Sequence, residues 1–277
     1  MKEIFFNLSR TCPRLHALRY VPEAAPRARV ILLHGYGDHS GRYADLVRHL
    51  VTHDIETVAF DFRGHGRSEG RRGFVRRWEE FLDDTLAVLH DPSLTPRVPT
   101  FLLGHSHGGL VAGVGLMRNR FTDVRGAVLS SPFLRNAARV PRVKHVLAWV
   151  GNVVAPSLRV STGLDDGMMT HDDAMLRDAR QDTLLNRCAT PRWFRTTLMT
   201  QRWALQNASQ LTTPYLALTG DADVIADPRG MEQFHARTGS TDKTLKVYPG
   251  LCHELLRETG RAEIFRTISD WMLARSG

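Results

Sequence analysis

The pentapeptide Gly104-His105-Ser106-His107-Gly108 constrains this chain more than any other feature. The apolar run Thr100-Phe101-Leu102-Leu103 precedes it, and Leu110, Val111, Val114 and Leu116 follow as a helical segment. A strand that turns through a serine between glycines and runs straight into a helix is the G-x-S-x-G elbow. The glycines let the turn close tightly, and the helix N-terminus lies beneath the lifted hydroxyl. Ser106 is therefore the expected nucleophile. The strand–turn–helix setting carries this reading more than the five letters do.

The same rhythm surrounds the elbow. Val30-Ile31-Leu32-Leu33 ends at His34-Gly35, Thr57-Val58-Ala59-Phe60 ends at Asp61, and Gly126-Ala127-Val128-Leu129 ends at Ser130. Short apolar runs bounded by glycine and polar turns suit strands buried on both faces. Between them, Tyr43, Leu46, Val47 and Leu50 form a helical stripe, as do Phe74, Trp78, Phe81, Leu82, Thr85, Leu86 and Leu89. Alternating strands and helices predict an α/β fold with a mostly parallel, doubly wound sheet. Segments 4–8 and 15–21 read as an antiparallel pair on one edge. From about Arg135 to Gln210 the runs are helical and strand signals are scarce. Val143, Val146, Leu147, Val150 and Val154 mark one amphipathic helix with Pro141 in its first turn, and 192–205, with Trp193, Thr197 and Trp203, marks another. Strands return at Tyr215-Leu216-Ala217-Leu218 and Thr244-Leu245-Lys246-Val247-Tyr248, and a helix over 262–274 closes the chain. The expected organisation is a core over 1–134 and 211–277 with a helical lid inserted at 135–210.

A serine nucleophile needs a base and a group to orient it, and on this fold the chain order is serine, acid, histidine. His235 and His253 follow the late strand. His235 falls inside a helical pattern, whereas His253 follows a strand and the turn Pro249-Gly250, which delivers a side chain to the carboxyl edge. The reading takes His253. Asp221, Asp223 and Asp227 are the candidate acids, and spacing does not separate the first two; one of the three is expected to cap the helix after Pro228. Oxyanion donors are expected from the backbone N–H of His107 and from the turn His34-Gly35-Tyr36-Gly37, at Tyr36. All these parts follow strands, and ligands in open α/β sheets bind beyond the strands' carboxyl ends.

Composition limits the alternatives. With no apolar run near the ~20 residues of a membrane span and no signal-peptide core in 1–10, a cytoplasmic protein is expected. Cys12, Cys188 and Cys252 lie far apart without a CxxC spacing, which implies reduced thiols and no zinc site; Cys252 beside His253 is not read as a nucleophile. The histidines, His34, His39, His65, His105 and His107 among them, lack the H-E-x-x-H spacing, so no metal or other cofactor is expected. The loop 61–68 lacks the G-K-[ST] of a phosphate loop. The net charge of +8 suits a solvated surface or contact with anionic membrane lipids; without a nucleic-acid-binding signature, no nucleic-acid partner is expected.

Five segments together resemble the monoacylglycerol lipases and related bacterial lysophospholipases. They are His34-Gly35-Tyr36-Gly37-Asp38-His39-Ser40-Gly41-Arg42-Tyr43, the turn from Gly64 to Gly73, the elbow, Gly220-Asp221-Ala222-Asp223-Val224-Ile225-Ala226-Asp227, and Lys243 to Tyr248 followed by His253-Glu254. The elbow departs from the family pattern in one residue, since methionine is usual where His107 stands. The resemblance implies the α/β-hydrolase fold, selects Asp223 over Asp221 as the acid, and implies a serine esterase acting on monoacylglycerol or lysophospholipid. Tyr36 and His107 are expected to make the mouth of the oxyanion hole bulkier or more polar. The lid's apolar face, flanked by Arg139, Arg142 and Lys144, is expected either to meet a lipid surface or to pack on the core. Two rivals remain at this level. One is an aminopeptidase whose lid acids Asp165, Asp166, Asp172 and Asp173 bind a substrate amine, and the other is a non-catalytic binding protein on the same scaffold.

Overall fold

The computed structural model describes residues 2–7, 13–94, 98–137 and 142–277. Leu8, Cys12, Arg139 and Pro141 lie outside the described residues, and the side chains of Arg142, Lys144 and Asp166 are likewise outside the description. Among the described residues the main sheet has strands β1 (Lys2–Asn7), β2 (Arg14–Tyr20), β3 (Ala28–Leu33), β4 (Ile55–Phe60), β5 (Thr100–His105) and β6 (Val124–Ser130). A small ribbon pairs β7 (Val160–Ser161) with β8 (Cys188–Ala189), and β9 (Tyr215–Gly220) and β10 (Lys243–Tyr248) complete the main sheet. Its order is β1-β2-β4-β3-β5-β6-β9-β10. Only the β1–β2 and β2–β4 pairs are antiparallel, which bears out the mostly parallel sheet with an antiparallel edge. β3 and β4 are buried along their whole length, consistent with runs such as Val30–Leu33 that offer no polar face.

Helices α1 (Ala44–Thr52), α2 (Glu80–Leu89) and α3 (His107–Met117) intervene between the early strands. Helices α4 (Arg142–Val154), α5 (Asp173–Gln181) and α6 (Pro191–Gln206) all fall between β6 and β9. α7 (Pro228–Arg237) and α8 (Arg261–Leu273) belong to the last part of the chain. Thr190 caps α6 by accepting from the Trp193 N–H, and Pro191 occupies its first position, where no N–H is needed. Two apolar clusters lie on opposite faces of the sheet; α2 and α3 supply Phe81, Leu110 and Val114 to one, and α1 and α8 supply Leu46, Ile264 and Ile268 to the other.

One helical expectation is corrected. The stripe from Phe74 to Leu89 is helical only from Glu80; Trp78 is buried but precedes the helix. The preceding segment is held as a knot of turns, with Gly64 donating to the Glu69 carbonyl and Gly73 donating to the Gly64 carbonyl. Both glycines have positive φ, which a continuing helix does not allow. The apolar face of α4 does not pack on the core: Val146, Leu147 and Val154 are 59, 63 and 75% exposed.

Candidate active site

Parallel pairing sets the carboxyl ends of β3, β5, β6 and β9 along one edge, with Leu33 beside Gly104 and His105 beside Ser130. Ser106 follows β5 directly at φ 53°, ψ −114°, a conformation costly for a residue with a side chain. The flanking glycines explain how the turn tolerates it. A Cβ on Gly104 would stand 2.4 Å from the Gly108 carbonyl oxygen, and one on Gly108 would stand 2.1 Å from that of Leu33. The Ser106 N–H donates to Ser130 and its carbonyl accepts from Phe133, so the strained residue is held from both sides.

The structure brings Ser106, His253 and Asp223 together. The Ser106 hydroxyl donates to His253 Nε2 at 2.8 Å, and His253 Nδ1–H donates to Asp223 Oδ2 at 2.7 Å. All three are buried, and the Asp223 side chain is fully so. Its other oxygen, Oδ1, accepts from the Ile225 and Ala226 N–H groups at 2.8 and 2.9 Å, fixing the carboxylate plane. The other two acids have separate roles: Asp221 accepts from Gly250 at the surface, and Asp227 caps α7. His235 bonds the Tyr215 hydroxyl on the far side of β9's start and takes no part.

The predicted donor segments also converge. A Cβ on Gly35 would lie 3.4 Å from Ser106 Cβ, so the Gly35-Tyr36 turn passes against the elbow. The His107 N–H is at the first position of α3, where helix amides have no intrahelical acceptor. The expected effect of the two side chains on the mouth is corrected, however. The His107 ring is buried among Phe62, Trp78, Phe81, Tyr36 and Trp193, pointing into the core. Tyr36 stacks on Trp193 at 3.5 Å and donates to the Gly73 and Cys188 carbonyls, tying this turn to α6 and β8. Burial keeps these rings uncharged: it lowers the His107 imidazole well below its usual value and raises the Tyr36 phenol.

Several supporting groups gave no signal in the sequence, and most of them have at least one partner distant in the chain. Arg42 pairs with Asp38 at 3.0 Å and with Glu254, the residue after His253, at 3.1 Å; the Tyr43 hydroxyl also donates to Asp38. Asp61 accepts from His16, from the Ser40 N–H and from the Arg67 N–H. His39 bonds Asp182 at 2.7 Å, joining the turn after β3 to the end of α5. His34 donates from Nδ1 to the Gly35 carbonyl and accepts at Nε2 from the Phe62 N–H, so this neutral ring braces two turns. Of the acids expected to bind an amine, Asp165 and Asp173 are exposed, and Asp172 caps α5 and pairs with Arg261. Cys188 and Cys252 are free thiols.

A family model described as serine aminopeptidase, S33 matches residues 24–260. The chain belongs to that family. Its resemblance to monoacylglycerol lipases extends well beyond the motifs. It is 34% identical to human monoglyceride lipase over 262 residues, covering 92% of this chain and 85% of the relative. Identity to the phospholipase YtpA of Bacillus subtilis is 31%, covering 87% and 93%. An abhydrolase domain-containing protein of Dictyostelium discoideum is also 31% identical, but the match covers only 27% of that longer protein. Among solved structures, the monoacylglycerol lipase of Paleococcus ferrophilus superposes with a TM-score of 0.87 at 28% identity, covering 95% of this chain and 99% of that one. The family has the α/β-hydrolase fold, and this chain is a hydrolase of that type.

Proposed function

We propose that this protein is a serine esterase that cleaves the acyl ester of a monoacylglycerol or lysophospholipid through an acyl-serine intermediate. The observation that carries the reading is the continuous pair of hydrogen bonds from Ser106 through His253 to Asp223. Ser106 Oγ attacks the ester carbonyl as His253 Nε2 takes its proton, and Asp223 holds the imidazole in the required tautomer and stabilises its cation. The backbone N–H groups of Tyr36 and His107 receive the oxyanion. The imidazolium returns the proton to the departing alcohol, and His253 then activates water to release the fatty acid and free Ser106. Relatives named monoglyceride lipase and phospholipase support a lipid ester as substrate. No cofactor or metal enters these steps.

Residues 135–210 act as a lid in this reading. The exposed apolar face of α4, continued by Leu158 and Val160, together with the net charge of +8, supports peripheral contact with an anionic membrane from the cytoplasmic side. Among the described residues no helix is long and apolar enough to cross a membrane. The family description keeps aminopeptidase activity as the second reading. The placement of Asp165, Asp172 and Asp173 supports the ester instead, since none is held as part of an amine pocket.

The test is a panel of monoacylglycerols, lysophospholipids, short esters and aminoacyl amides against wild type and Ser106→Ala. Acyl-ester turnover is expected to fall by about 10³-fold or more in the variant, with fluorophosphonate labelling abolished. Turnover at the wild-type level after this substitution overturns the assignment.

A further inference from the structure

Next to the His253 loop lies a cluster that the proposed reaction does not use. Cys252 Sγ stands 3.8 Å from Nδ1 and 3.7 Å from Nε2 of His171, and His171 Nδ1 stands 3.0 Å from Glu258 Oε1. The three donor atoms lie within 4.8 Å of one another. They come from three separate places: the segment before α5, the loop after β10, and the residue following the short helical turn Leu255–Arg257. His171 is exposed and Cys252 half-buried, so the cluster is open to solvent on one side and closed by the buried Glu258 on the other.

We propose that Cys252, His171 and Glu258 form a binding site for a thiophilic divalent cation of the zinc or cadmium class, and that the bound ion inhibits hydrolysis by clamping the inserted segment to the His253 loop. The donor set of one thiolate, one imidazole and one carboxylate is that of a borderline-soft cation, with the fourth tetrahedral position left to water. Tetrahedral zinc with ordinary bond lengths sets sulfur and nitrogen ligands about 3.6 Å apart, and nitrogen and oxygen ligands about 3.3 Å apart. The observed 3.8 Å from Sγ to Nδ1 and 3.0 Å from Nδ1 to Oε1 are each within a few tenths of an ångström of these, and the sulfur and the carboxylate lie within 4.8 Å of each other. The exposed imidazole supplies the small pivot that aims its lone pair.

Glu258 is already fixed for this task. Its carboxylate accepts from the backbone N–H groups of Cys252 and His171 and from the Thr170 hydroxyl, so it sets the positions of both other ligands. Burial, Glu258 and Asp223 raise the Cys252 thiol above its usual range. The same negative surroundings favour a dication in place of the thiol proton. On binding, that proton leaves to solvent, the imidazole proton moves to Nε2, and sulfur, Nδ1 and Oε1 each donate a lone pair to the ion. No redox step is involved. The consequence for activity follows from position: the ion bridges residue 171 to residue 252, immediately before His253, where the Glu254 N–H already contacts the Met169 carbonyl.

The inhibitory half rests on the Ser106 reading, whereas the binding half does not, and the experiment separates them. Cadmium is titrated into the full chain, the apo protein being prepared with EDTA, and the thiolate-to-cadmium absorption is recorded. One equivalent is expected, retained in a Cys12→Ser/Cys188→Ser protein and lost in Cys252→Ser, with His171→Ala weakening binding at least about tenfold. Absorption that survives in Cys252→Ser, or a His171→Ala protein that binds as wild type, overturns the site. In parallel, zinc is expected to inhibit the wild type reversibly by EDTA and to spare Cys252→Ser, whose metal-free turnover is unchanged. One-equivalent binding without inhibition of an active wild type overturns the clamp. An apo protein that hydrolyses no ester while still binding cadmium marks failure of the esterase reading alone.

Discussion

Replacing Asp223 by asparagine tests the proposed relay at the atom where the structure is most specific. Oδ1 of Asp223 accepts two backbone N–H groups, from Ile225 and Ala226, while Oδ2 faces His253 Nδ1 at 2.7 Å. An asparagine keeps its oxygen on the two amides, because the flipped amide would set its NH₂ against two donors and leave them buried and unpaired. Its NH₂ therefore faces Nδ1 and donates to it. The imidazole is forced into the tautomer with the proton on Nε2, which then has no lone pair to receive the Ser106 proton. The shape of the site is retained while the base is disabled. A loss in kcat of about 10⁴-fold is expected, equivalent to about 5.5 kcal/mol of transition-state stabilisation. Steady-state hydrolysis of a monoacylglycerol supplies the rate, and thermal unfolding confirms that the variant folds. Asp221→Asn is the control: that side chain accepts from Gly250 at the surface, away from His253, and its activity should stay within about threefold of wild type. A folded Asp223→Asn enzyme within tenfold of wild type refutes the argument, as does an equal loss in Asp221→Asn.

The remaining predictions concern stability and surface contact. Asp84 is fully buried and its carboxylate takes bonds from the Arg63 side chain and backbone, so Asp84→Ala breaks this buried pair while Arg63 keeps its contact with Glu80, and is expected to cost about 3 kcal/mol. In a chain of this size that lowers the melting temperature by about 10 °C, and an unchanged midpoint in calorimetry contradicts it. Burial holds the His65 and His105 imidazoles down to about 3, against 6.5 when exposed. Between those values the unfolded chain binds more protons, so stability falls as pH falls, by about 1.4 kcal/mol per pH unit for each ring. Denaturant titrations giving equal unfolding free energies at about pH 7 and about pH 5 would remove that mechanism. Leu147→Glu, on the exposed face of α4, is expected to weaken co-sedimentation with anionic vesicles; a folded variant that binds as wild type ends the membrane-contact proposal.

Much of the site was legible because its parts are local. The elbow needs glycine at 104 and 108 for reasons of backbone contact, and such needs leave residue-type signatures at fixed spacing. The parallel core was legible for a similar reason: strands buried on both faces must be continuously apolar, and β3 and β5 are nearly so. The choice between Asp221 and Asp223 was not open to spacing, because both lie in the turn after β9. It depends on which carboxylate faces His253 once the Ile225 and Ala226 amides have fixed its plane. The start of α2, the inward direction of the His107 ring and the exposure of α4 were equally illegible. A helical stripe records that a face is apolar, not what the face meets.

The chain's sequence by itself thus determined the order of the main-sheet strands and most of the helices between them, the elbow at Ser106 and a short set of candidate acids and bases. Only the tertiary structure decided which of these meet, through pairs such as Arg42 with Glu254 and Arg63 with Asp84 that span long stretches of chain. The reason is physical. Backbone geometry and apolar periodicity are imposed by neighbours in sequence, whereas the partner of a buried charge is imposed by whichever strand or turn packing brings within about 3 Å.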